Sequence, residues 1–423
     1  MAERLVVEPD LAFIRRIQEV GGDDLNKCYQ CATCSVVCDL SPDDNPFPRK
    51  EMLWAQWGMK DKLMQDPDVW LCHQCNDCTT HCPRGARPGD VLAAVRSYIY
   101  ECFTFPRFMG KAVSNPAALP VLFLIPVLII AVLIGVNMQV NDLDFEYFLS
   151  SETALLTQFI PAGYTEMFFI LGNILIFIIA FSGLKKFWDG LTHDAATEKK
   201  MSFVDALWET VKEIMLHKHF GTCQQNKPRQ LAHLLVFYGF VATLITTALS
   251  FTFGVIFHHW FPMPFGIATP IDPWTYTNTF HIFVGITTKV MGTAGGSMIF
   301  VGGIMMASRR NNNLDDVGAN AYPDQLFLHI VFWTGLTGML SWGLRLYSMG
   351  IGGGAAINII AYLVYYAHIS LVFVLLWYMP YTKFAHMLYR TMAMVWAKQR
   401  GRDIASVAKP KVEILQIDSK GAA

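Results

Sequence analysis

Charged side chains are scarce in this chain: Lys, Arg, Asp and Glu make up 16% of its 423 residues, where a soluble domain carries nearer ~25%. Apolar residues reach 53% and the mean hydropathy is +0.33, so a membrane protein is indicated. The charges that are present nearly cancel, at a formal net of −1, and offer nothing in favour of nucleic-acid binding. The first thirty residues mix both signs and lack an apolar h-region, so no signal peptide is expected and the N-terminal part is expected in the cytoplasm. A nucleotide fingerprint is missing too: Gly350–Gly354 reads as a turn because no strand precedes it. With no flavin fingerprint or nucleophile motif either, catalysis on a soluble substrate is expected to lie in other subunits.

Cysteine, by contrast, is concentrated. Eight of the ten fall in two matching blocks, Cys28-x-x-Cys31-x-x-Cys34-x-x-x-Cys38 and Cys72-x-x-Cys75-x-x-Cys78-x-x-x-Cys82-Pro83. This is the two-cluster ferredoxin spacing, in which three cysteines of a block hold one 4Fe–4S cube and the fourth reaches the other. The expected ligand sets are Cys28, Cys31, Cys34 and Cys82 for one cluster, and Cys72, Cys75, Cys78 and Cys38 for the other. Tight spacing lets one loop reach three iron corners, and the crossed fourth ligand ties the halves together. Structural zinc favours pairs of cysteines well apart, not runs of four. Asp39 follows Cys38 where the second block has Pro83. The pattern suits metal in a reducing compartment rather than disulfides. Cys102 and Cys223 belong to no motif and are given no role.

The chain divides by composition. Residues 1–105 read as a soluble module, with amphipathic helical spacing over 48–58 and an exit helix over 89–103. Pro106, Pro116 and Pro120 mark a linker over 106–117. Six apolar segments then reach the ~20 residues a membrane span needs: 118–138, 166–185, 231–257, 281–308, 325–347 and 355–380. They form an expected transmembrane domain over 118–390, followed by a tail, 391–423. The loops 139–165, 258–280 and 348–354 contain no Lys or Arg, whereas the opposite loops carry Lys199, Lys200, Lys212, Lys218, Lys227, Arg229, Arg309 and Arg310, and the tail is basic. By the positive-inside rule both termini and the cysteine module are expected on the cytoplasmic side. The amphipathic stretch 202–216 either lies at the membrane interface or packs on the cysteine module.

Histidines in apolar helices form the second constellation. His368 and His386 are eighteen residues apart, five whole turns and about 27 Å on a straight helix, against a hydrocarbon core of ~30 Å. The spacing suggests two stacked haem b groups, with Pro380 able to bend the helix between them. His233 lies at a depth similar to His386, and these two are the expected axial pair. Arg229, one turn earlier, is a candidate for a haem propionate or an ordinary positive flank. For His368 the partner considered is His281, with His329 as an alternative ligand; His193, His217, His219, His258 and His259 are read as structural. Lys289 and Arg345 are the intramembrane cations, each a candidate contact for a propionate or a quinone head group. Their plain readings are a water-lined cavity for Lys289 and snorkelling for Arg345. The run Gly292–Ser297 is either close helix packing or room for a flat macrocycle.

On these residues the chain resembles a known fusion. Residues 20–100, with PRK at 48–50 and VWLCHQCNDCTTHCPRG at 69–85, are similar to HdrC, the small iron–sulfur component of heterodisulfide reductases. Residues 165–390 resemble the membrane cytochrome b component of that enzyme, and more distantly the gamma chain of respiratory nitrate reductase. The carriers are R-x-x-x-H at Arg229–His233 and YYAHISLVFVLLWYMPYTKFAH at Tyr365–His386. Joined in one chain, the two halves resemble the QmoC family, the membrane component of the quinone-interacting membrane-bound oxidoreductases of sulfate reducers. That resemblance implies a mainly α protein, a two-cluster 4Fe–4S ferredoxin-like domain followed by a six-helix cytochrome b bundle in the inner (cytoplasmic) membrane. It implies two 4Fe–4S clusters, haem b and menaquinone as substrate, and the histidine spacing sets the expected number of haems at two. The implied partners are soluble flavin and iron–sulfur subunits (QmoA- and QmoB-like) and, through them, adenylylsulfate reductase. One departure stands out: the nitrate-reductase cytochromes carry a further haem histidine where this chain has Thr243. Rival readings are a heterodisulfide-reductase-type complex with another acceptor or reversed flow, a membrane anchor without haem, and a transporter lined by Lys289 and Arg345.

Overall fold

The computed structural model describes residues 8–42, 45–160, 162–193, 198–217, 227–252, 279–312 and 321–402. Among these the protein is helical, with no strand, and six helices are long and apolar enough to cross a membrane. The spanning helices are Leu119–Val140, Ala162–His193, Lys227–Phe251, Thr279–Asn312, Tyr322–Ile351 and Gly354–Trp377. Their outward faces are apolar, with Leu128, Leu171, Ile178, Phe181 and Leu244 all exposed. Such a surface suits a lipid surround rather than water.

A backbone group freed within a span finds its partner on a neighbour. Pro126 sits inside the first span and removes the N–H that would bond to the carbonyl of Leu122. The hydroxyl of Tyr378 donates to that freed carbonyl at 2.9 Å. The third and fourth spans approach closely because glycines face each other. A Cβ on Gly295 would lie 2.9 Å from the Gly239 carbonyl oxygen and 3.1 Å from Thr243 Cγ2. The Gly292–Ser297 run is therefore helix packing at its centre, and Thr243 is engaged in the same contact, its Oγ1 donating back to Gly239 O at 3.1 Å. At the end away from the cysteines, 145–160 folds over the first, fifth and sixth spans. Asn358 Nδ2 donates to Ser151 O at 2.8 Å, and Ala154 N donates to Ser348 Oγ at 2.7 Å.

The cysteine module and the membrane domain share one core. Phe13, Ile17, Leu25, Met52, Leu63, Trp70, Val95 and Ile99 of the module are continuous with Phe187 and Leu191 of the second span and with Tyr389, Ala393 and Ala397. The latter three belong to a terminal helix, His386–Gln399. Tyr389 stacks on Trp70, with centroids 4.9 Å apart and planes at 17°. The stretch 106–117 carries its own helix, Arg107–Val113, with Val113 buried against the membrane domain. The amphipathic segment is the helix Phe203–Leu216; Lys398 pairs with Glu213 on its inner side at 2.6 Å, while Val204 and Trp208 face outward.

The straight helix expected from His368 to His386 does not form. The sixth span ends at Trp377, two short 3-10 turns follow at Met379–Tyr381 and Lys383–Ala385, and a new helix begins at His386. Pro380 is the physical reason, since it cannot continue the helical hydrogen bonds and its ring clashes with the preceding turn. The five-turn register therefore does not relate the two histidines.

Candidate redox site

The two cysteine blocks fold alike. In each, the residue two after the first cysteine and the residue one after the second adopt left-handed backbone: Gln30 (φ 65°) and Ala32 (φ 68°), then Gln74 (φ 51°) and Asn76 (φ 69°). Four non-glycine residues held in that region mark a conformation the surroundings enforce. A short helix follows each loop, Thr33–Val37 and Asp77–Thr80. Gly89, at the start of the exit helix Pro88–Phe103, allows the second loop to close on it. A Cβ there would lie 2.3 Å from Asn76 Oδ1 and 3.0 Å from Thr79 Oγ1.

The loops enclose two cavities, and their linings cross. One is lined by Cys28, Cys31, Cys34 and Cys82; the other by Cys38, Cys72, Cys75 and Cys78. Backbone amides reach the sulfurs: Gln74 N donates to Cys72 Sγ at 3.3 Å, and Ala86 N to Cys82 Sγ at 3.4 Å. Burial pushes the Cys34 thiol up to about 11 and the Cys78 thiol well above its ordinary value. Cys31 is lowered, chiefly by its hydrogen bond with Thr33. Buried thiols that must ionise to act as ligands call for a compensating cation. Among the described residues, the group of three His, Cys, Asp or Glu ligand atoms converging within 4.8 Å is Glu51, Asp66 and Asp68. Neither cysteine set is drawn that tightly, whereas a tetrahedral zinc with sulfurs at ~2.3 Å holds them only about 3.8 Å apart. The donor set and its breadth fit an iron–sulfur cube.

Three arginines hold the second loop, Arg229 and Arg390 from beyond the cysteine module and Arg96 from within it. Arg229 Nη1 donates to Gln74 O at 2.9 Å and to His73 O at 3.4 Å. Arg390 Nη1 donates to Cys72 O at 2.9 Å. Arg96, on the exit helix, donates from Nε to Val69 O at 2.7 Å, from Nη1 to Gln74 Oε1 at 3.0 Å and from Nη2 to Cys72 O at 3.4 Å. Arg229, a propionate candidate by sequence, thus has its guanidinium on the cysteine loop. Arg96 and Arg390 carry no signal in the sequence beyond Arg390 following His386 by one helical turn.

The histidines take up defined positions. His386 Nδ1 is 2.6 Å from Lys383 O, which leaves Nε2 as the ligating nitrogen, and burial pulls its imidazole down to about 4. It is therefore neutral, the form that binds metals. His233 Nδ1 meets His217 Nε2 at 3.1 Å, and His386 and Arg229 lie in its electrostatic neighbourhood. His368 Nδ1 is 3.2 Å from Thr337 Oγ1, and its ring lies against Gly338 of the fifth span. Partners at Nδ1 are the usual means of orienting a ligating imidazole, and His386, His233 and His368 each have one. His329 is exposed on its helix. The side chain of His281, and all of His219, His258, His259 and Cys223, lie outside the described residues. Lys289 Nζ stands 5.9 Å from the Trp342 ring centroid, and Arg345 is half-buried on the same helix as Trp342.

A further charged group is formed by folding alone. Lys50 Nζ lies 2.9 Å from both Asp66 and Asp68 and 3.2 Å from Glu51, and Arg402 pairs with Asp68. All three carboxylates are buried. Burial and the neighbouring Asp66 charge hold Glu51 well above its ordinary value.

Comparison with known proteins agrees with this class of site. Residues 24–86 match the family model of the 4Fe-4S dicluster domain. The chain is 34% identical over 102 residues to an HdrC-like heterodisulfide reductase protein of Archaeoglobus profundus, covering 24% of this chain and 54% of that one. It is 35% identical over 89 residues to the C component of the H(2):CoB-CoM heterodisulfide,ferredoxin reductase of Methanothermobacter marburgensis, 21% of this chain and 48% of that one. The C component of the ferredoxin:CoB-CoM heterodisulfide reductase of Methanosarcina mazei is 27% identical over 81 residues, 19% and 50% of the two chains. The chain thus spans about half the length of the curated relatives it matches. No solved structure matches it. The module is an iron–sulfur domain of the electron-transfer kind, carried by a chain with six candidate membrane spans.

Proposed function

We propose that this chain is the quinone-reactive membrane subunit of a multisubunit oxidoreductase in the cytoplasmic membrane. In this reading menaquinol is oxidised among the spans, near Lys289 or Arg345. Electrons then pass the His233–His386 region to the second cysteine set, then to the first, and out to soluble flavin and iron–sulfur partners. The observation that carries it is the direct hold of Arg229 and Arg390 on the Cys72–Gln74 backbone. Arg390 shares a helix with His386, and Arg229 one with His233, so the histidine pair and the second cysteine set are joined by two rigid helices. Haem b and the two 4Fe–4S clusters would supply one-electron chemistry. Cys28, Cys31, Cys34 and Cys82 would hold one cluster and Cys38, Cys72, Cys75 and Cys78 the other, while the spans exclude water and fix the imidazoles. The terminal acceptor proposed is adenylylsulfate reductase, by the resemblance of the fused chain. The heterodisulfide-reductase relatives favour a second reading with the same wiring, a complex of that type with another acceptor or reversed flow.

The test is a dithionite-reduced-minus-oxidised spectrum of the purified chain, with pyridine haemochrome and iron quantitation. About two b-type haems with ~8 further irons, four per cluster, are expected. His386→Ala or His233→Ala should remove one b-type component and leave the cluster iron. One haem in the unaltered chain would reduce His368 to a structural role, and none, with haem supplied during expression, would sink the cytochrome reading.

A further inference from the structure

The two cysteine cavities are built alike but framed differently. Around the first, the arginines in the lining are Arg49 and Arg84, both exposed, with Arg84 lying 5.4 Å from the Tyr29 ring centroid. Water and salt screen such charges. Around the second, Arg96, Arg229 and Arg390 reach inward to the carbonyls of Val69, Cys72, His73 and Gln74. Each comes from a different helix and is itself only partly exposed. A guanidinium is not deprotonated in proteins, so all three stay charged. Asp39 and Asp77 line the same cavity, leaving three cations against two carboxylates, of which Asp39 is exposed.

We propose that Arg96, Arg229 and Arg390 are positioning residues that give the Cys38/Cys72/Cys75/Cys78 site a higher reduction potential than the Cys28/Cys31/Cys34/Cys82 site. This assignment rests on the iron–sulfur reading of both cavities. Reduction there adds one electron and makes or breaks no bond, so the reduced form carries one more negative charge. Cations fixed in a poorly screened frame stabilise that charge, and the exposed arginines of the first cavity do so less. The membrane-facing site then collects electrons, and the outer one passes them on at lower potential. Losing one unit charge at a separation of roughly 10 Å, with an effective dielectric near ~20, changes such an equilibrium about tenfold.

EPR-monitored potentiometry of the full chain in detergent measures both sites, with Cys75→Ser identifying the second site's signal. Arg390→Gln should lower the second site's potential by about tenfold in the reduction equilibrium, ~59 mV for one electron, and leave the first unmoved. Arg390→Lys, which keeps the charge, should hold the potential near that of the parent chain. If Arg390→Gln does not assemble, Arg96→Gln provides the same reading. An unmoved second potential, a common shift of both sites, or a lysine variant that falls as far as the glutamine one would each overturn the assignment. Absence of two reducible iron–sulfur signals in the unaltered chain would overturn the underlying iron–sulfur reading instead.

Discussion

Tyr389 is where the cysteine module and the membrane domain meet, and its removal has a calculable effect. The ring is 3% exposed and packs on Trp70, Phe187, Tyr100 and Phe103, with centroids 4.9, 5.4, 5.9 and 6.4 Å away. Two of those neighbours are in the exit helix, one precedes Cys72 and one is in the second span, so no single element can close over the gap. Truncating a buried aromatic side chain to Ala costs about 3–5 kcal/mol. At 1.4 kcal/mol per factor of ten, opening of the module from the terminal helix should become roughly 10²- to 4 × 10³-fold more frequent in Tyr389→Ala. Hydrogen–deuterium exchange of the amides in 68–72 and 95–103, read by mass spectrometry in detergent, reports that opening. Tyr389→Phe keeps the ring and should exchange within about tenfold of the parent. Unchanged protection in Tyr389→Ala would refute the shared core as the joint between the two halves.

Two further outcomes follow from buried contacts. In the folded chain Glu51 holds its proton above the ordinary value of 4.5; the unfolded chain does not, so its contribution to stability is present at low pH and is lost as pH rises from about 4.5 towards the folded value. Glu51→Gln leaves Lys50 and Arg402 facing Asp66 and Asp68 in balance, and should stabilise the module by about 1–3 kcal/mol at pH 8 but not at pH 4; equal melting shifts at both pH values would contradict the assignment. Gly295→Val places methyl groups where Gly239 and Thr243 already sit, an overpacking expected to cost about 1–3 kcal/mol. It should lower the thermal midpoint in detergent, whereas Gly343→Ala, with nothing within 4 Å of its Cβ, should not.

The parts legible in the sequence are those set by local spacing. The cysteine blocks announce their crossed cavities because a C-x-x-C-x-x-C run is nearly a complete loop description, and the six spans announce themselves by length. The histidine register misleads, since Pro380 and the polar Thr382 break the helix that the count assumes. Long-range partners are hidden altogether. Arg229 reads as a propionate candidate or a flanking charge until Gln74 is placed beside it. Glu51, Asp66 and Asp68 carry no common signal in the sequence, and only folding buries them around Lys50. Trp70 and Tyr389 show no periodicity in common; only the tertiary fold makes them one contact.

That contact has a consequence for the order in which the chain is built. The hydrogen bond from Arg390 to Cys72 O joins residues 318 apart, and the Arg402–Asp68 pair joins residues 334 apart. At roughly 5–20 residues per second, synthesis takes about 15–60 s to bridge such a gap. During that interval five or more spans enter the membrane while the second cysteine loop lacks its hold from the terminal helix. The first cavity needs no such late partner: its cysteines and Gln56, which donates to Cys28 O at 2.7 Å, all lie within the first ninety residues. The linings of both cavities are therefore synthesised early, and what arrives last is the hold of the terminal helix on the second loop.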